Sequence, residues 1–180
     1  MAVALSMVAP TWADDKTPVT NTSAGEPATA NDVAADTRFM ENATQANWTE
    51  VKLGELAIKR TTRADVKNYA ETVVQHHKNA QQSLKNIMDK VNTDLPKDIT
   101  VEQQASIDDL KRTDDANFDR MFVKRMVVDH EKAVALYESF MSSTKSPELK
   151  DYARLTLDHL KFHLEKAQEL SKAIGGVAAK

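Results

Sequence analysis

Four long stretches of the chain repeat apolar residues at alternating three- and four-residue steps, and that period leaves few folds open. It is the period of a helix with one buried face, whereas a strand needs a period of two. The stretches cover residues 36–60, 64–91, 118–142 and 147–173. Local signals mark their ends. Thr62-Arg63-Ala64-Asp65 has the form of a capping box, Ser146 precedes Pro147 at a first helical position, and Gly175-Gly176 is expected to stop the last helix. Thr100 with Gln103 starts a shorter helix inside the long connection after the second stretch. The first and last connections are only a few residues long, so each must join an antiparallel pair, and the middle one is long enough to cross over. The expected fold is all-α: a ferritin-like antiparallel four-helix bundle with a short extra helix in the long connection between helices 2 and 3. Four Gly and five Pro in 180 residues agree with this, and the lack of cysteine excludes disulfides and thiol chemistry.

Residues 1–13, MAVALSMVAPTWA, read as the apolar part of a signal peptide, with cleavage expected after Ala13. The stretch is too short to span a bilayer, so no transmembrane span is expected in the mature chain. Residues 14–35 turn to Thr, Asn, Ala, Pro and Asp with little to bury, and are expected to form a disordered linker. That leaves 36–173 as the bundle and places the protein in the periplasm or another exported compartment. A net charge of −3 leaves no basic surplus for phosphates, which argues against a nucleic-acid partner. There is no Gly-rich phosphate loop and no nucleophile elbow.

The informative positions are polar residues on otherwise apolar seams. In the first helix the seam reads Ala43, Ala46, Glu50, Leu53, Ala57, and Glu50 is the one acid in register. In the second it reads Val66, Ala70, Val73, His77, Ala80, Leu84, Ile87, Val91, broken only by His77. In the fourth, Leu149, Ala153, Thr156, Leu160, His163, Ala167, Leu170 place His163 at the middle. The third helix has two competing registers. One turns His130 inward and the other Asp129, and His130 is preferred because it gives one candidate per helix, with Asp129 and Glu131 as neighbours. A buried carboxylate beside three buried imidazoles is costly without a cation or a proton. A divalent ion resolves the conflict, since zinc takes imidazole nitrogen and carboxylate oxygen, and iron, manganese or copper can also use them. At roughly 1.5 Å rise per residue Glu50 and His77 lie within about 5 Å of one height, while His130 and His163 differ by about 7 Å. His159 matches His130 better in height and shares a helix side with His163, so it stands as a reserve ligand. His76 is expected to face away from the seam into solvent. The methionines fit plain packing better than a haem pocket. Asn42-Ala43-Thr44 and Asn47-Trp48-Thr49 match the glycosylation pattern, but on a helix they read as accidental.

The segments from Glu50 to Ala57, Val73 to His77, Val128 to Val134 and His163 to Ala167 resemble an exported bacterial family called domain of unknown function 4142. The resemblance runs from about residue 36 to 173 and implies a ferritin-like bundle with an acid in the first helix and a histidine in each of the other three. It thus favours His77 over His76 and His163 over His159. Members are often described as outer-membrane proteins, yet no series of alternating ten-residue strands is present here. Leu157-Asp158 stands where members often have Leu-Pro, so the kink that the family pattern implies is not expected here. Val74 and Val127 stand three residues before His77 and His130, so the di-iron Glu-x-x-His signature is absent. The leading expectation is a metal-binding bundle that is not an enzyme, holding zinc through Glu50, His77, His130 and His163 in a closed four-ligand site and serving metal or stress tolerance. The alternatives are an iron- or manganese-dependent oxidoreductase, since three histidines and a carboxylate resemble the superoxide dismutase ligand set, and a metal-free envelope interaction protein.

Overall fold

Four of the five helix starts described in this chain carry a side-chain cap. The computed structural model describes residues 27–177 apart from 92 and 95. The expected signal peptide and residues 14–26 of the expected linker therefore lie outside it. The described residues form five helices and no strand: α1 Ala30–Arg60, α2 Ala64–Lys90, α3 Val101–Arg112, α4 Asp115–Ser143 and α5 Pro147–Val177. α1 begins earlier than its hydrophobic period, because Thr29 and Asp32 close a reciprocal capping box at 2.8 and 3.2 Å. Residues 30–35, read from composition as disordered, are helical. Thr100 and Gln103 form the expected box at the start of α3. Ser146 Oγ accepts from Leu149 N at 3.3 Å, capping α5 before Pro147.

Two expected boundaries differ. Thr62 does not cap α2: Arg63 occupies the cap position without a side-chain bond, and Asp65 is engaged instead by the Arg63 guanidinium and by Val66 N. α5 continues through Gly175-Gly176 to Val177. Glycine lowers helix propensity by only about 1 kcal/mol, which does not by itself end a long helix. α5 also runs unbroken through Leu157-Asp158, as expected where the proline of the family pattern is missing.

Each short connection makes an antiparallel hairpin, α1 with α2 and α4 with α5. α2 also packs on α5 and α1 on α4, so the four long helices form a ring in which α2 and α4 are diagonal and parallel. Contacts at both ends fix these directions. The Arg60 guanidinium donates to the Lys111 and Thr113 carbonyls at 3.0 and 2.8 Å and covers the Phe118 ring at 4.3 Å, tying the end of α1 to the start of α4. At the opposite end the Thr144 hydroxyl donates to Asp36 at 2.8 Å. The connection from α2 to α4 therefore runs the length of the bundle, with α3 placing Ile107 and Leu110 against the core.

The core is two apolar clusters rather than one. Leu53, Val66, Val73, Phe118, Phe122 and Met126 lie in the first, and Phe39, Leu84, Met88, Tyr137, Phe140 and Leu160 in the second. Between them every long helix contributes a buried polar residue: Asn47 and Glu50 from α1, His77 and Gln81 from α2, His130 from α4, His163 from α5. The seams drift along the helices, because a repeat of 3.5 residues does not match 3.6 per turn. Toward the C-terminal end of α2 Leu84 is buried as expected, but Gln81 and Met88 are buried in place of Ala80 and Ile87, and Val91 is exposed; in α1 Asn47 is buried where Ala46 was expected. The first hairpin is tight at Gly54, where an added Cβ would meet Val74 Cγ2 at 2.6 Å and the Ala70 carbonyl at 3.3 Å.

Candidate metal centre

The three seam histidines meet inside the polar layer. His77, His130 and His163 each bring one ring nitrogen to within 4.8 Å of the other two, and all three are buried. His130 Nε2 and His163 Nδ1 are 3.1 Å apart. Ligand bonds of about 2.0–2.1 Å in a tetrahedron put neighbouring donor atoms roughly 3.3 Å apart, so this pair already has the separation a cation requires. Of the two registers open to α4, the one that turns His130 inward is realised. Asp129 is half-buried and bound to Arg125 one turn away, and Glu131 is exposed.

Hydrogen bonding fixes the tautomers. A carbonyl oxygen only accepts, so His130 Nδ1, 2.9 Å from the Met126 carbonyl, carries the proton and Nε2 carries the lone pair. His163 Nδ1 must then donate to that lone pair, leaving His163 Nε2 to accept from His76 Nδ1 at 2.9 Å. Asn47 Nδ2 donates to Gln81 Oε1 at 3.2 Å, so Asn47 Oδ1 is the acceptor for His77 Nδ1–H at 2.9 Å. His77 Nε2 is left with its lone pair and no hydrogen-bonding partner in the protein. A cation placed among these atoms replaces the hydrogen shared by His130 and His163, and His163 then keeps its proton on Nε2, facing His76.

Burial sets the charge states. Desolvation, reinforced by the neighbouring imidazoles, holds His77 and His163 well below the usual histidine range. His130 is lowered by burial, with the Met126 carbonyl and Asp129 pulling the other way. All three are neutral at neutral pH, the form that binds a metal. Burial and, secondarily, the Asp129 carboxylate push Glu50 up to about 8 against the opposing pull of Arg125. Glu50 Oε2 and the Tyr69 hydroxyl are likewise buried without a partner in the protein. Unpaired buried oxygen and nitrogen atoms are costly and are expected only where something else engages them.

Glu50 stands apart from the compact histidine set, which alone meets the 4.8 Å separation among the described residues. With His77 and His130 it lines a cavity of about 220 Å³ between α1 and α4 that also reaches Arg125 and Asp129. The cavity brings the polar layer toward the surface on this side.

Three residues carry roles that the seam pattern did not bring out. Asn47, read only as an accidental glycosylation match, orients His77; it lies three residues before Glu50 and hence on the same helix face. Tyr69 borders the layer, its ring edge-on to His163 at 6.4 Å. His76 is half-buried rather than solvated, bonds His163 and stacks on His159 with ring centroids 4.1 Å apart. His159 is exposed and meets the buried set only through His76.

The fold and site define an all-helical bundle with a histidine cluster across its middle. The chain belongs to the family described as Domain of unknown function (DUF4142), whose match covers residues 20–170. No curated protein matches it in sequence. Its fold is similar to a DUF305 fragment from Deinococcus radiodurans, with a TM-score of 0.68 at 16% identity over 83% of this chain and 98% of that one. It is also similar to CopM in the apo form and in the Cu(II)-bound form, with TM-scores of 0.65 and 0.67 at 17% identity, over 77% of this chain and 96% of each of those. None of the described helices is long and apolar enough to cross a membrane.

Proposed function

We propose that the protein is an exported metal-binding bundle that holds one divalent transition-metal ion at His77, His130 and His163, with Glu50 drawn in as the fourth ligand, and that it serves metal or stress tolerance in the cell envelope. The observation that carries this reading is the compact set of three buried, neutral imidazoles beside an unpaired carboxyl oxygen and an unpaired imidazole nitrogen. Three imidazoles and one carboxylate suit zinc, which is the resident ion in this reading. The same donors take Cu(II) more tightly, as the divalent affinity order requires, and Cu(II) is the ion in one of the similar structures. Elemental analysis of protein purified from its own compartment, followed by titration with zinc and Cu(II), tests this. One tightly bound equivalent is expected, reduced at least tenfold in affinity by His130→Ala and by His77→Ala. Stoichiometric metal surviving both substitutions would remove the reading.

The cavity beside Glu50 supports a second reading as an oxidoreductase, because it offers a small molecule access to an ion that keeps an open position. Iron or manganese in the purified protein, with turnover of superoxide or dioxygen that disappears in Glu50→Gln, would favour it over sequestration.

A further inference from the structure

All five histidines of the chain fall into one array that grades from solvent to core. His159 is exposed, His76 is half-buried, and His163, His130 and His77 are buried. The outer pair is built across two helices: His76 on α2 and His159 on α5 stack with ring centroids 4.1 Å apart and planes 20° from parallel. His163 lies one turn beyond His159 and turns a different nitrogen to each side, Nδ1 to His130 within the core and Nε2 to His76 toward the surface. A groove of about 580 Å³ leads to His159 between α2 and α5. Glu148, Asp151 and Asp158 line it, and no lysine or arginine does, although Asp151 also meets Arg154 at 3.6 Å. Such a groove concentrates cations at its end. The cavity on the α1/α4 side differs, because Arg125 and Lys132 line it along with Glu50 and Asp129 and offset their charge.

We propose that His76 and His159 form a second, solvent-facing metal site that captures a divalent transition-metal ion from the acidic groove and loads the buried centre, a role that rests on the buried cluster being a metal centre. The stacked rings point their lone pairs in parallel, so both bind one ion only after the exposed His159 ring swings out of the stack and, once the buried centre is filled, His76 gives up its bond to His163. An ion held at that cost is weakly bound and readily exchanged, which suits capture rather than storage. His163 is the ring common to the two sites.

Titration of the full chain with Cu(II) alone, followed by stopped-flow absorbance, tests this. The wild type is expected to show a tight class and a weaker class. His159→Ala should abolish the weaker class, leave the tight class intact and slow loading about tenfold or more, the scale on which local ion concentration raises on-rates. His130→Ala should do the converse, losing the tight class and keeping the weaker one, with circular dichroism confirming that both variants fold. A His159→Ala protein that loads as fast as wild type overturns the proposal, as does slowing by Arg125→Gln or Asp129→Asn in its place. Absence of a tight class in the wild type overturns the buried-centre reading instead, while the His159-dependent weak class still reports the outer site.

Discussion

At the residue scale, the chemistry of the layer is governed by which atoms lack partners. Glu50 is held protonated at neutral pH in the metal-free protein, because burial raises it to about 8 from 4.5. The folded state therefore keeps a proton that the unfolded chain has released, and stability falls as pH rises between those values. His77 and His163 act in the opposite sense: their folded forms refuse a proton that the unfolded chain takes up below about 6.5, so stability also falls on acidification. Between pH 6.5 and 8 the Glu50 contribution stands alone. Denaturation of the metal-free protein should show a loss of up to about 1.4 kcal/mol per pH unit there, and Glu50→Gln should flatten that slope. Asn47→Ala should lower metal affinity by about 10–100-fold with little change in helicity, since it frees the His77 ring to rotate and change tautomer. Isothermal titration measures this, and an unchanged affinity would deny Asn47 an orienting role. The ligand candidates were legible in the sequence because each polar residue interrupts an apolar seam. Asn47 and His76 were not, because their importance lies in bonds to residues far away in the chain.

At the element scale, the α1–α2 contact is closest where Gly54 faces Ala70 and Val74. Gly54→Ala improves helix propensity by about 1 kcal/mol, yet the new methyl overlaps a branched side chain fixed in one rotamer and packed in the core. Overpacking of this kind costs about 1–3 kcal/mol, so a net loss of up to about 2 kcal/mol is expected in chemical denaturation. Val74→Ala in the same background should recover part of the loss; without recovery, the clash is not the cause. The caps show what the sequence can and cannot reveal about elements. Thr100-Gln103 and Ser146-Pro147 formed as read, whereas Thr62-Asp65 did not, because the Arg63 guanidinium takes the Asp65 carboxylate. Thr29-Asp32 lay in a segment judged on composition, and a local box outweighed that average.

For the whole molecule, the two apolar clusters on either side of the polar layer predict a fold that stands without a metal. Chelation should leave the helical content unchanged. Saturation at about a hundred times the dissociation constant should add about 2.7 kcal/mol and raise the melting temperature by about 5–10 °C. Collapse of the helical signal on chelation would contradict this. The hairpins and the crossover were readable from connection lengths, but the ring order was not, since periodicity states that a face is buried and not which neighbour covers it. The pairing of the helices as two hairpins has a further result: the α1–α2 half contributes Glu50 and His77 to the polar layer, and the α4–α5 half contributes His130 and His163. An ion held by both halves acts as a rivet between them. A chain nicked in the stretch before α3 should survive as a paired complex to higher denaturant when loaded than after the ion is stripped, a mechanical coupling that neither half possesses alone.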